Sequence, residues 1–348
     1  MVKKSVRWKT LLGAAAVLSA LSLAYSAPPS SDQIDRWLRQ LDDEDFTVRE
    51  EATVNLIKSG KAVIEPVTAA AQGKSLEATD RCVRILRELS LSDDRGTSAA
   101  ARAAIAKLAA GDHKQAADKA RVVQRERQQK IAEKLEEKGV RAFSERDGRV
   151  TSLTFDKAKD FDIELDLLTE LADVAVVHMN NPLVADAAVA KLKVLPKLDY
   201  LDLFQSGITD ESLKHFKDMP ALKMIPMGRT KITDAGLVHL KELSRLEYIG
   251  LRGDAITDAG LAHLATLTNL AALNLSETKI TDAGLVHLKK MSNLHRLYVN
   301  GTSITDEGLK NLECLPGLEE LFLANTKVTA EGIKKLKNAR PGLQVIEE

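Results

Sequence analysis

Ile232-Thr233-Asp234-Ala235-Gly236-Leu237 returns unchanged at Ile256–Leu261 and again at Ile280–Leu285, each copy 24 residues after the last. Looser copies extend the series on both sides. They open at Ile208 (Ile-Thr-Asp-Glu-Ser-Leu), Ile304 (Ile-Thr-Asp-Glu-Gly-Leu) and Val328 (Val-Thr-Ala-Glu-Gly-Ile). A period in this range marks stacked supersecondary units, none of which buries its apolar face alone.

Leucines upstream of each copy fix the period. Leu198, Leu201 and Leu203 form Leu-x-x-Leu-x-Leu, and the offsets recur at Leu222/Ile225/Met227, Leu246/Ile249/Leu251, Leu270/Leu273/Leu275, Leu294/Leu297/Val299 and Leu318/Leu321/Leu323. Counting back gives Val174/Val177/Met179 and Val150/Leu153/Phe155. Eight repeats thus run from Val150 to Gly342, the last one residue longer, and a strand stub follows at Leu343–Ile346.

Two periodicities alternate within one unit. Leu-x-Leu alternation predicts a short strand with one buried face. Leu261, Leu264 and Leu267 recur at helical spacing. Thr257 and Asp258 precede that run, where side-chain oxygens satisfy the free amides of a helix start. Gly260 is expected to let the helix approach the strand layer. Stacked, such units predict an α/β solenoid curved into a horseshoe, with a parallel sheet inside and helices outside.

The pattern resembles the leucine-rich repeat family, whose strand signature is Leu-x-x-Leu-x-Leu. Ile-Thr-Asp-x-Gly-Leu is similar to the variant in F-box-associated and related bacterial repeat proteins. The resemblance covers about 200 residues. The family's Asn or Cys at the ninth position is replaced by Ser206, Thr230, Asp254, Thr278, Thr302 and Thr326. A ladder of hydroxyls bonding neighbouring backbone is expected there. Upstream there is no F-box pattern, so a ubiquitin-ligase role does not carry over.

Residues 1–26 read as a secretory signal. Lys3, Lys4, Arg7 and Lys9 make a basic start, Leu11 to Leu23 is uncharged, and Ala24-Tyr25-Ser26 suits a signal peptidase. The expectation is cleavage and a secreted or periplasmic location, without stable membrane insertion afterwards. An uncleaved segment tethering the protein to a membrane is the alternative.

Residues 27–30 form a Pro-containing linker, and 31–111 read as a helical domain. Ile34, Trp37, Leu38 and Leu41 share one face. Asp45 to Gly60, with Val48-Arg49 and Ala52, resembles a HEAT-type helical repeat. Ala62–Ala71 and Leu76–Leu89 predict two more helices. Residues 112–138 lack Pro and Gly and predict one connecting helix of ~40 Å, at 1.5 Å per residue. In 139–149, Asp147-Gly148 signals a hairpin strand that caps the repeat domain, 150–348. The far end of the stack has little polar cover.

Fifty basic residues balance fifty acidic ones, and no aromatics interleave the basic stretch Lys114–Arg127. A nucleic-acid partner is therefore not expected. Cys82 and Cys314 are too few for a disulfide framework and are expected to be buried. No zinc spacing, phosphate loop or nucleophile with an adjacent base is present, so neither a cofactor nor catalysis is expected.

Strand positions three, five, seven and eight of each repeat should point away from the core onto a concave face. Tyr200, Tyr248 and Tyr298 fall there, as do Phe204, Phe322 and Met224. Arg229, Arg252, Arg296, Asp202, Asn274 and Asn300 share the face, together with His178 and Glu320. Tyr and Arg dominate binding hot spots, although strands favour aromatics in any case. Pro226, Gly228 and Gly250 would leave a ligand room at the backbone.

The column Asp210, Asp234, Asp258, Asp282 and Asp306 suggests calcium, but one row cannot surround an ion with six to eight oxygens. A helix-start role suits it better. His239, His263 and His287 lie inside the copied segment, so duplication explains their spacing. The pattern predicts a non-enzymatic exported module binding a protein, peptide or glycan. The alternative is an assembly scaffold using the helical domain or the C-terminal repeat edge.

Overall fold

Ten strands lie side by side in chain order in the computed structural model, which describes residues 28–158, 161, 163 and 165–347 apart from the side chain of 166. The expected signal, 1–26, lies outside the described residues. The chain divides into two compact units between Gln124 and Arg125.

The first unit is all helical. It comprises α1 (Ser31–Gln40), α2 (Phe46–Lys58), α3 (Ile64–Ala70), α4 (Leu76–Leu89), α5 (Arg95–Ala110) and the start of α6 (Lys114–Glu137). Ser30, Asp45, Ser75 and Asp94 cap α1, α2, α4 and α5 by accepting from first-turn amides. Leu41, Leu56, Val67, Leu86 and Ile105 form the core, joined by Ala116 and Ala120 of α6. Within it, Arg81 donates to Glu50 and Glu77, each at 2.7 Å. Burial works against the Arg81 charge, and the two carboxylates outweigh it, leaving the pKa raised. Burial pushes the Cys82 thiol up to about 12, so it is an inert core residue.

The second unit begins inside α6. Ile131 and Leu135 enter its core, and Gln128 accepts from the Val150 amide at 3.0 Å. Arg127 grips Glu170 with two bonds of 2.6 and 2.5 Å. Strand β1 (Arg141–Ser144) pairs antiparallel with β2 (Val150–Thr154) through a turn in which Gly148 has φ +82°. Eight strands follow, each parallel to the last. They are β3 (Val176–His178), β4 (Tyr200–Asp202), β5 (Met224–Pro226), β6 (Tyr248–Gly250), β7 (Ala272–Asn274), β8 (Arg296–Tyr298), β9 (Glu320–Phe322) and β10 (Gln344–Ile346). Register follows the repeat: Leu153 faces Val177, Val177 faces Leu201, and Ile249 faces Leu273. These residues are wholly buried in one continuous core.

The hexapeptide explains how the repeats are joined. Thr233, Thr257, Thr281 and Thr305 each cap their own helix by accepting from the amide two residues on. The following Asp reaches instead into the next repeat. Asp234 Oδ1 accepts from the Thr257 amide at 2.9 Å and Oδ2 from its hydroxyl at 2.6 Å. The same double bond joins Asp186–Thr209, Asp210–Thr233, Asp258–Thr281, Asp282–Thr305 and Asp306–Thr329. Hydrogen bonds hold the Asp186 and Asp306 carboxyls below their ordinary pKa. For Asp186, bonds from Ser212 and Thr209 outweigh the larger effect of burial; for Asp306, the Thr329 amide is the main cause.

The glycine has a different role from the one expected. A Cβ on Gly260 would lie 2.2 Å from Asp234 Oδ1, and the equivalent glycines 236, 284, 308 and 332 meet the preceding Asp in the same way. It makes room for that carboxylate rather than for the strand layer. Where the copy has Ser212, the hydroxyl donates to Asp186 Oδ1 at 2.5 Å, turning the obstruction into a bond.

Three of the ninth-position hydroxyls bond neighbouring backbone as expected, while Thr230 donates to Asp254 of the next repeat at 3.1 Å. Thr278, Thr302 and Thr326 each donate to a carbonyl three residues back in their own repeat. Cys314, expected to be buried, is exposed, with Sγ 3.2 Å from the Asn311 carbonyl. At the last turn, the Arg340 guanidinium donates to the carbonyls of Leu315, Pro316 and Leu318. Among the described residues, no helix is long and apolar enough to cross a membrane.

Candidate functional site

Alternation along each strand sends one set of side chains into the core and the other onto an open sheet face. In β4, Leu201 is buried while Tyr200 and Asp202 are half-exposed. The residues expected on this face sort into three groups and a central stretch around Tyr248, which the register holds at strand spacing.

The first group surrounds Asp202. Its Oδ2 accepts from Asn180 Nδ2 at 2.8 Å and lies 3.4 Å from His178 Nδ1, while Oδ1 accepts from the Phe204 amide at 3.0 Å. The His178 ring tilts against Tyr200 with centroids 5.3 Å apart. Burial raises the phenol pKa of Tyr200, helped by the Asp202 charge. Thr154, His178 and Asp202 sit in register on adjacent strands, the order of a nucleophile, base and acid. Among the described hydrogen bonds none joins the Thr154 hydroxyl to the imidazole.

Tyr248 occupies the middle. Burial raises its pKa, against a hydrogen bond with Asn274. A Cβ on Gly250 would lie 2.9 Å from Tyr248 Oη, and one on Gly228 would lie 2.6 Å from the Arg252 carbonyl oxygen. These glycines accommodate the protein's own ring and backbone. Met224 stands exposed beside them. Asn274 and Asn300 each commit a side-chain oxygen to a backbone amide, that of Ser276 at 3.0 Å and that of Ala324 at 2.8 Å.

In the second group, Tyr298 and Phe322 stack at 4.2 Å and 13°, and Arg296 Nε donates to Glu320 at 2.7 Å. Here the aromatics do pack on each other across adjacent strands.

The third group lies where the strands enter their turns. Arg229 sits over the Phe204 ring, 6.0 Å from its centroid. Glu277 accepts from Arg252 Nε at 3.1 Å and Nη2 at 2.5 Å, and from Arg229 Nη2 at 3.4 Å. The paired guanidiniums hold the Glu277 carboxyl below its ordinary pKa, Arg252 first. An open cleft of ≈ 580 Å³ adjoins, lined by Pro182, Gln205, Ser206, Gly207, Arg229, Thr230 and Lys231. The Ser206 hydroxyl is buried without a partner.

Two features of this corner escaped the sequence reading. The eighth position is left-handed in six repeats, at Gln205, Arg229, Gly253, Glu277, Gly301 and Asn325, with φ between +55° and +74°. Only Gly253, Gly301 and Asn325 signal it. Asp254, at a ninth position, is the second. Its Oδ1 accepts from the Thr230 amide at 2.7 Å and hydroxyl at 3.1 Å, while Oδ2 is buried without a partner. Burial pushes this carboxyl up to about 7, against the pull of the Thr230 bonds. Among the described residues, no group of three or more His, Cys, Asp or Glu side chains could hold a metal ion.

A family model described as Leucine Rich repeat matches residues 266–288 and 290–312. No curated protein matches the chain. Among solved structures, an internalin of Listeria monocytogenes is similar, at 24% identity and a TM-score of 0.44, over 53% of this chain and 51% of that one. The ectodomain of the Arabidopsis receptor kinase HAESA, solved with an extended peptide hormone ligand, matches at 18% identity and a TM-score of 0.44, over 59% of this chain and 35% of that one. The chain thus spans about half the length of the internalin and about a third of the HAESA chain.

Proposed function

We propose that the protein is an exported, non-enzymatic binding module whose repeat sheet curves into a horseshoe and engages a protein or peptide on its concave face. The observation that supports this most is the half-exposed surface along β4 to β9. It presents Tyr200, Met224, Tyr248, Tyr298 and Phe322, with Asp202, Arg296 and Glu320 interspersed among them. Rigid aromatics on a pre-formed sheet lose little entropy on binding. HAESA, with its peptide ligand, offers a parallel for peptide capture by such repeats. The basic and uncharged segments within residues 1–26 support export.

The test is capture from an envelope fraction by the full chain, with photo-crosslinkers placed separately at Met224 and at Lys241 on the helical side. The reading expects adducts at Met224 that a Tyr200→Ala/Tyr298→Ala variant loses. Adducts confined to Lys241 would contradict it. Mass spectrometry of the mature N-terminus tests export, with cleavage after about residue 26 the expected result.

A further inference from the structure

We propose that the rim where β5 to β9 run into their turns is a docking site for an acidic peptide segment, whose carboxylates replace Glu277 between Arg229 and Arg252. This deepens the binding reading above and rests on it.

Charge distribution is the first argument. The seventh to tenth positions of these repeats carry exposed Arg229, Lys231, Arg252, Lys279 and Lys327, against a single exposed acid, Glu277. Asp254, the other acid there, is buried. At the opposite ends of the same strands the balance reverses, the residues just before them including Glu247 and Glu319 against Lys223. A peptide acidic along one side is therefore drawn to one rim and oriented by the other.

Geometry is the second. Glu277 serves two guanidiniums at once, and Arg229 reaches it only at 3.4 Å, the long limit of a hydrogen bond. All three side chains stay more than two-fifths exposed. The site thus keeps two exposed guanidiniums against one carboxylate, an excess positive charge in the forked donor type that suits carboxylates. The Arg229 guanidinium lies over the Phe204 ring, 6.0 Å from its centroid.

Backbone conformation is the third. Arg229 and Glu277 both adopt left-handed φ, +58° and +60°, which L residues other than Gly rarely take. Gly253 stands between them, where a Cβ would lie 3.2 Å from Arg229 Cγ. Its missing side chain lets Arg229 reach across to Glu277. The adjoining cleft, with Thr230 and Lys231 in its wall, gives a displacing segment somewhere to lie.

The test is fluorescence anisotropy of the full chain with a labelled alternating Glu-Gly decapeptide, alongside Gln-Gly and Lys-Gly decapeptides and a sulfated oligosaccharide. Glu277→Gln frees both guanidiniums and should tighten the Glu-Gly peptide about fivefold, whereas Arg229→Gln/Arg252→Gln should weaken it at least about tenfold. Lys231→Gln/Lys279→Gln, away from the ion pair, should weaken it by a smaller factor. Thermal melts of each variant establish that it folds. The proposal is overturned if Glu277→Gln leaves affinity unchanged, if the Gln-Gly peptide binds as tightly, or if only the oligosaccharide binds. Should peptides of any charge bind, and Tyr200→Ala/Tyr298→Ala weaken them alike, this inference fails while the concave-face reading stands. If no peptide binds and no Met224 adduct forms, both fail.

Discussion

Asp234 holds Thr257 of the following repeat by both oxygens, taking its amide at 2.9 Å and its hydroxyl at 2.6 Å, while Thr257 caps its own helix. One repeat therefore fixes the helix start of the next. Asp234→Ala removes two charge-assisted bonds and leaves a partly buried amide without its partner. The expected cost is on the order of 2–4 kcal/mol in denaturant unfolding. A change below ~0.5 kcal/mol would show that the tie is incidental.

Gly260 and Asp234 should be coupled. Gly260→Ala places a methyl on Asp234 Oδ1 and should destabilise by about 2 kcal/mol or more. Gly260→Ser should cost less, because a hydroxyl can donate there as Ser212 does to Asp186. Adding Gly260→Ala to Asp234→Ala should cost much less than the sum of the two single variants, since the obstructing carboxylate is gone. Additive effects in a double-mutant cycle would refute the coupling.

Asp254 predicts a pH dependence of stability. Its folded pKa, about 7, lies above its unfolded value near 3.8, so the folded state binds the proton more tightly. Stability from this group is complete at acid pH and declines as pH rises from about 4 to about 7, by up to ~4 kcal/mol. Asp254→Thr, which copies the neighbouring repeats, should abolish that part of the slope and raise stability at pH 8. Urea unfolding at pH 5 and pH 8 measures both. An unchanged slope would mean that Oδ2 is solvated.

The eighth position separates backbone strain from side-chain contacts. Gln205→Gly should stabilise by up to ~1 kcal/mol, because Gly adopts φ +59° without a Cβ penalty. Gly253→Ala should destabilise by about 1–2 kcal/mol, from the same φ preference and from contact with Arg229. Melting temperatures moving the other way would place the strain elsewhere.

These comparisons show what a single sequence discloses. Strand alternation and the 24-residue step were legible because each is local and repeated, and Thr257 was recognisable as a helix-start residue from its place before Leu261. The partner of Asp234 was not, since it lies 23 residues on and one copy read alone shows only a helix start. Gly260 was misread for the same reason, its obstruction belonging to the preceding repeat. The grouping of Arg229, Arg252 and Glu277 was hidden as well. It depends on separations of 25 and 48 residues and on left-handed turns at Arg229 and Glu277, residues that give no glycine signal. Tyr200, Tyr248 and Tyr298 were placed on the open face by counting alone. That Tyr298 stacks on Phe322 while Tyr248 folds over Gly250 required coordinates.

Among the described residues the Asp-to-Thr ties have two stops, and both are alanines. Ala185 stands where a threonine would be gripped by a repeat before it, and its side chain caps nothing; Ala330 stands where an aspartate would grip a repeat after it. Between them every joint pairs an aspartate with a threonine, and all but the first add the same glycine, so a whole 24-residue cassette could be removed or duplicated at those joints and leave matching halves. A fusion beyond Ala330 would meet a blank face. The chain thereby carries its own punctuation, written in which repeats are allowed to hold on to a neighbour.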